Sequence, residues 1–307
     1  AAIHGYCVTG GLEMALACHY RVAADAPGVR FGLPEVTVGL LPGAGGTQRL
    51  SRLTGAAKAL PLLLEGKLVP AAEAKALGFI DELVAPGEAI AAAKRWIIEH
   101  GDPVARWDKK EFKVPGGSPY SPAGSQTFTI ANAMLRAKTF ENYPAASNIL
   151  KSVFEGLQLP IDAALRIESR YFVNTFATPQ ARAMIRSLFL SRQELAKGGA
   201  RPAGVEKSRP KTVGVIGAGM MGAGIAYSQA ARGIDTILLD LSQERADQGK
   251  VYSRSLVEKA VSRGKLSQEK GNALLDRIKP TDRYEDLADA DIVIEAVFED
   301  QTLKHET

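Results

Sequence analysis

Cysteine is scarce in this chain: only Cys7 and Cys18 occur among 307 residues. Two thiols cannot form the disulfide framework of a small secreted fold, and their apolar neighbours suit buried thiols in a reducing compartment. With His4 and His19 they also lack the paired ligand spacing of a zinc site, so no metal is expected. An excess of one charge is missing too. Lys and Arg number 38 against 34 Asp and Glu, a formal net charge of +4, and the basic residues are scattered without interleaved aromatics. That pattern excludes a nucleic-acid footprint and leaves small or acidic ligands. No apolar run reaches the ~18–20 residues needed to cross a bilayer, and the first residues lack the charged-then-apolar layout of a signal peptide. No integral membrane segment is therefore expected. GxSxG and P-loop signatures are absent, which removes serine-hydrolase and NTPase readings.

What is present is an alternation of short apolar runs and glycine-rich turns. Its length suits about two domains at ~100–200 residues each. AAIHGYCV, RVAA and FGLPEVTVGL read as strands and turns around the helix GGLEMALAC, a mixed α/β pattern. AAEAKALGFIDELV gives a helix closed by Gly78 and then a strand. A further helix near 87–100 places Ile90, Lys94 and Ile97 along one stripe. From Gly101 a Pro-, Gly- and Ser-rich stretch reads as a linker or surface loop. Helices resume in ASNILKSVFEGL and DAALRIESRYFVNTF, and Thr178-Pro179 supplies a cap and first position for ARAMIRSLFLSRQELAK. Gly198-Gly199 ends that helix, ARPAGVEKSRP is a second linker, and the clearest boundary lies near Lys211. No solenoid repeat is present.

Glu13 stands out because an isolated carboxylate in an apolar run is costly unless compensated. An acid in the first turn of a helix that begins at Gly10 or Gly11 also interacts favourably with the helix dipole, so the position alone does not assign it a role. The C-terminal third is more specific. TVGVI runs into Gly217, Gly219 and Gly222, a helix follows, and the next strand, TILLD, ends in Asp240, 18 positions after Gly222. Gly217 permits a tight turn, Gly219 lets a pyrophosphate approach, and Gly222 lets helix and strand pack closely. The helix N-terminus then presents unpaired N–H groups to phosphate. Asp240 can accept from an adenosine ribose and repel a 2′-phosphate, which favours NAD over NADP. ADIVIEAVFED is expected as a buried strand beside the first.

GVIGAGMMGAGIAY, with LLD and DIVIEAVFEDQTLK, resembles the NAD-binding domain of 3-hydroxyacyl-CoA dehydrogenases. AAIHGYCVTGGLEMALAC, with FGLPEVTVGLLPGAGGTQRL, resembles the enoyl-CoA hydratase (crotonase) family. Joined in this order they resemble the multifunctional enzymes of fatty-acid β-oxidation. The resemblance implies an α/β architecture: the C-terminal part of a crotonase-like ββα domain over 1–100, a loop and linker helices over 101–208, and the first part of a Rossmann-type doubly wound parallel sheet over 209–307. It places the two catalytic glutamates at Glu13 and Glu35 and an oxyanion-hole N–H at Gly10. It places Met221, Asp240, Val297, Glu299 and Lys304 along the NAD site. An acyl-CoA thioester substrate and a thiolase subunit as partner are implied as well. The cytoplasm is the expected compartment for a bacterial chain, and a mitochondrion or peroxisome otherwise.

Two departures from the family pattern stand out. Thr9 occupies the place of a third glycine, and the Glu13-to-Glu35 spacing is about two residues longer, within ADAPGVR. The abrupt opening on a strand and the close in an early helical turn are expected of a fragment. On the resemblance, a second oxyanion donor precedes Ala1, and the dehydrogenase histidine and its acidic partner follow Thr307. The isolated chain is accordingly expected to turn over neither substrate. Two alternatives remain: a non-catalytic acyl-CoA-binding or assembly subunit with a decayed hydratase half, against which both glutamates argue, and a plain dehydrogenase with a helical arm, which leaves FGLPE and PGAGGTQR unexplained.

Overall fold

The computed structural model describes residues 1–306 and divides into two compact units, Ala1–Arg201 and Pro202–Thr307. In the first, β1 (Ala2–Ile3), β2 (Tyr6–Val8) and α1 (Gly10–Ala17) are followed by β3 (Val22–Ala24), β4 (Arg30–Gly32) and a 3₁₀ turn, Pro34–Val38. Then come α2 (Gly46–Thr54), α3 (Ala56–Glu65), β5 (Val69–Pro70), α4 (Ala71–Leu77), β6 (Glu82–Val84) and α5 (Ala89–His100). The strands form two small sheets, a parallel β1-β3-β6 and a β2-β4-β5 in which only the last pair is antiparallel. Between α1 and α2 the core closes over Leu16, Phe31, Leu41 and Leu50, all buried. Cys7 is buried with them, and burial with the nearby Cys18 pushes its thiol up to about 11; Cys18 itself is half-buried.

The segment expected as linker helices belongs to this same core. It contains α6 (Pro122–Thr139), α7 (Pro144–Gly156), α8 (Ile161–Phe176), α9 (Pro179–Met184), a π-helical stretch (Ile185–Ser191) and α10 (Arg192–Ala196). Phe128, Leu135, Ile149, Val153 and Leu157 pack into the α2–α3 core, because an apolar helix face must be buried against another element. Buried polar contacts lock the packing: Gln48 Nε2 donates to Ser152 O at 2.9 Å, and Arg52 donates to Gly156 O and Leu159 O at 2.8 Å each. The expected α5 stripe differs as well. Ile90 and Ile97 are exposed, and α5 instead seats Ala89 and Ala92 on β3 while Trp96 stacks on Tyr20 at 4.7 Å.

Thr9, ahead of α1, has φ 54° and ψ −136°, a region in which a β-branched residue is strained. Such a conformation costs ~1–3 kcal/mol, and glycine adopts it at an entropic cost of ~0.5–1 kcal/mol. Thr9→Gly is therefore expected to stabilise the unit by about 1 kcal/mol and raise its melting temperature by a few degrees. An unchanged or lower melting temperature would show that the Thr9 contacts outweigh the strain.

The second unit holds β7 (Thr212–Ile216), α11 (Met220–Ala230), β8 (Asp235–Leu239), α12 (Gln243–Ser262), α13 (Gln268–Asp276), β9 (Ile278–Thr281), β10 (Ile292–Glu295) and α14 (Gln301–Glu306). Its sheet runs β10-β7-β8-β9, parallel throughout, with Val215, Ala226, Leu238 and Ile278 fully buried. The order reverses between β7 and β10, which creates a switch point at the carboxyl ends of those strands. β10 does lie beside β7, but it is not buried: Ile292 and Val293 are each 47% exposed. An edge strand has one neighbour, so its apolar side chains are covered incompletely. Among the described residues no helix is long and apolar enough to cross a membrane.

Candidate functional site

The Gly-Gly pair lets α1 begin directly after Thr9. Leu12 and Glu13 N–H close on Thr9 O at 2.9 and 3.0 Å, so the Gly10 and Gly11 amides precede the first intrahelical bonds. Both glycines face open space. One turn on, Glu13 points inward and is 4% exposed. Its charge is met by backbone: Oε1 accepts Ala44 N–H and Gly46 N–H, both at 2.8 Å, from the turn PGAGG that opens α2. A Cβ on Gly46 would lie 2.8 Å from that same oxygen, so glycine there permits the approach. Among the described residues no donor reaches Glu13 Oε2.

Glu35 is the second residue of the 3₁₀ turn and half-buried. Its Oε2 is buried with no hydrogen-bond partner among the described residues. Burial, reinforced by the charges of Glu13 and Glu168, pushes its carboxyl up to about 7. The structure thus brings Glu13 and Glu35 into one electrostatic centre with different settings. Glu13 is held by two N–H donors, whereas Glu35 has an unpartnered oxygen and a proton that it can gain or lose near neutrality.

Glu168 on α8 joins this centre and was not singled out in the sequence. It is 1% exposed; Oε1 accepts Gly45 N–H at 2.5 Å, Oε2 accepts Thr47 N–H at 2.9 Å, and the Thr47 hydroxyl donates to Oε2 as well. Burial pushes its carboxyl up to about 7 against those donors. A signal for it existed: Ile161, Ala164, Glu168 and Thr175 form the buried face of α8, so the carboxylate occupies an apolar column.

The other candidate residues line a crevice of about 650 Å³ in the second unit, at the switch point. Gly217, Gly219, Met221, Asp240 and Val297 line it, as do Arg245, Gln248 and Tyr252, which the sequence reading did not include. Gly217 has φ 98°, and a Cβ there would lie 2.7 Å from Ala296 O. Gly222 lies beneath the crevice, where a Cβ would stand 1.7 Å from Gly217 O. At Gly219 a Cβ would meet nothing within 4 Å, the open approach that a pyrophosphate requires. Asp240 Oδ2 accepts Ala218 N–H at 2.7 Å and Oδ1 accepts Leu241 N–H at 2.8 Å, which fixes the carboxylate beside the turn with lone pairs left for a ribose diol. These residues fit a dinucleotide. Glu299 and Lys304 are paired with each other at 2.9 Å, outside the lining, and Lys304 also pairs with Glu295 at 3.1 Å.

Residues 1–110 match the family described as enoyl-CoA hydratase/isomerase, and residues 212–307 match 3-hydroxyacyl-CoA dehydrogenase, NAD binding domain. The whole chain aligns with the fatty acid oxidation complex subunit alpha of Shewanella amazonensis, 36% identical over 315 residues. The chain spans 43% of that relative's length. Among solved structures, (S)-3-hydroxybutyryl-CoA dehydrogenase of Ralstonia eutropha is 36% identical, covering 32% of this chain and 35% of its own, with a TM-score of 0.31. An enoyl-CoA hydratase of Geobacillus kaustophilus is 28% identical, covering 61% and 56%, with a TM-score of 0.30.

Proposed function

We propose that the full-length polypeptide carrying this sequence, which like the multifunctional β-oxidation enzymes joins a crotonase-like hydratase fold to a Rossmann-type NAD-binding domain, hydrates 2-enoyl-CoA and oxidises the resulting 3-hydroxyacyl-CoA. The observation that carries the reading is the pairing of Glu13, clamped on two N–H donors, with Glu35, whose buried Oε2 lacks a partner. Hydration requires two proton movements. Glu13 Oε2 takes a proton from water as the water oxygen bonds to the β-carbon, and Glu35 delivers a proton to the α-carbon. Negative charge gathers on the thioester oxygen meanwhile, and the Gly10 amide at the positive end of α1 is placed to stabilise it.

In the second unit, NAD bound in the crevice would accept the hydride from the β-carbon. The chain's own residues bind and orient it: the α11 N-terminus and Gly219 receive the pyrophosphate, and Asp240 receives the adenosine ribose. A fixed carboxylate there disfavours a 2′-phosphate. Asp240→Asn is expected to narrow the preference for NADH over NADPH by roughly tenfold, about 1.4 kcal/mol. The check is to titrate both cofactors into parent and variant. Equal affinities in the parent would remove Asp240 from this role.

The product of the two steps is a 3-oxoacyl-CoA, the substrate of a thiolytic cleavage, which makes a thiolase subunit the fitting partner. The experiment that tests the whole reading offers crotonyl-CoA and 3-hydroxybutyryl-CoA separately to the full-length polypeptide carrying this sequence. Water addition to the first and NADH formation from the second are expected, and absence of either removes that half of the proposal.

A further inference from the structure

The turn that holds Glu13 is held from its other side. Its consecutive amides alternate between two carboxylates: Ala44 and Gly46 donate to Glu13, while Gly45 and Thr47 donate to Glu168. Gly46 and Thr47 are the first residues of α2, so both acids sit at that helix's N-terminus, where unpaired N–H groups and the dipole favour negative charge. Arg49 donates to Ala44 O at 2.8 Å and fixes the remaining face of the turn. On the far side, the Thr47 hydroxyl and Ser152 Oγ stand 3.3 Å apart, and Gln48 Nε2 reaches Ser152 Oγ at 3.1 Å, which ties the turn to α7.

Among the described residues no Lys or Arg pairs directly with Glu168, although a nearly fully buried carboxylate is expensive without a counter-charge. Both of its oxygens accept from the turn, which an amide with its single acceptor oxygen cannot do. We infer that Glu168 is a positioning residue of the hydratase centre: from α8 it fixes, through the shared turn, where Glu13 stands. This inference rests on the hydratase reading above.

The surroundings support it. The charged groups acting on Glu168 are Glu13 from α1, Glu35 from the 3₁₀ turn and Arg52 from α2. Other charged side chains on the helices packed against α8 turn elsewhere. Arg49 binds Ala44 O, Glu155 pairs with Arg170 and Tyr171, and Lys151 and Arg182 are exposed. When ionised, Glu168 opposes loss of the Glu35 proton, and among the described residues no salt-bridge partner cancels its charge.

The test uses Glu168→Gln and the milder Thr47→Val in the full-length polypeptide, with NAD-dependent oxidation of 3-hydroxybutyryl-CoA as the internal control. Glu168→Gln is expected to lower kcat for crotonyl-CoA hydration ~10–100-fold with KM changed less than about threefold, in line with effects of misplaced catalytic groups. The high-pH limb of the hydration profile should move to lower pH, because removing a neighbouring negative charge eases ionisation of Glu35. Thr47→Val keeps the charge and loses one donor. It should lower kcat by less and leave that limb in place or higher, and it decides the matter if the Gln variant does not fold. Hydration within twofold of the parent with an unmoved pH limb in Glu168→Gln, or, if that variant does not fold, hydration within twofold of the parent in Thr47→Val, would overturn the inference. If Glu13→Gln and Glu35→Gln also hydrate normally, the hydratase reading fails instead.

Discussion

In the full-length polypeptide, Glu35→Gln is expected to lower kcat for the proposed hydration of a short 2-enoyl-CoA by ~10²–10⁴, the range that a general acid–base group contributes. Gln preserves size and polarity at the buried position but cannot deliver a proton to the α-carbon. Burial, with Glu13 and Glu168 nearby, raises the Glu35 carboxyl from 4.5 to about 7. Hydration by the parent is therefore expected to fall as pH rises through about 7, and the residual activity of the variant should lack that limb. The same shift affects stability with a definite sign. Between 4.5 and about 7 the folded state binds more protons than the unfolded chain, so stability falls as pH rises through this window. Glu35→Gln removes this contribution, and the loss of unfolding midpoint between pH 5 and pH 8 should shrink. Normal hydration by the variant would remove Glu35 from the mechanism, and an unchanged pH dependence of stability would remove its raised proton affinity.

The second large effect is at Gly222. A methyl group there would stand 1.7 Å from Gly217 O, a backbone atom of the turn, so either α11 or the turn must move. Overpacking of this kind costs ~1–3 kcal/mol, and it displaces the amides that receive the pyrophosphate. Gly222→Ala is expected to weaken NAD binding by roughly 100-fold, about 2.7 kcal/mol, and to lower the melting temperature of the second unit. Gly219→Ala separates the two consequences. A Cβ there meets nothing within 4 Å, so the fold should be as stable as the parent, while NAD affinity drops because the methyl occupies the approach. Calorimetric titration with NADH and thermal unfolding of both variants check this. NAD affinity unchanged in Gly219→Ala would place the cofactor elsewhere.

The parts that read well in the sequence are those whose chemistry is local. The strand, glycine turn and helix at 212–230 need particular residues at fixed offsets, and Gly217, Gly219 and Gly222 each meet the steric demand expected of them. As candidates, Glu13 and Glu35 are legible because they lie in short motifs on either side of β4. Glu168 is not, because its partners are 121 and 123 residues away in sequence and only the packing of α8 on α2 brings them together. The helices after residue 121 read as helices of a linker, whereas they pack into the first unit's core. An apolar stripe shows that a helix packs, but it does not say on what. β10 failed for a related reason: IVIE reads as a buried strand in a parallel sheet, but exposure depends on how many neighbours the sheet provides.

The full-length polypeptide is expected to perform both proposed steps in sequence. The most direct measurement mixes crotonyl-CoA and NAD with the full-length polypeptide and follows NADH, beside Glu35→Gln and with 3-hydroxybutyryl-CoA as the second substrate. The account predicts NADH from both substrates with the parent, and from 3-hydroxybutyryl-CoA alone with the variant. NADH formation from crotonyl-CoA by Glu35→Gln at the parent's rate, or no NADH from either substrate with the parent, would contradict it.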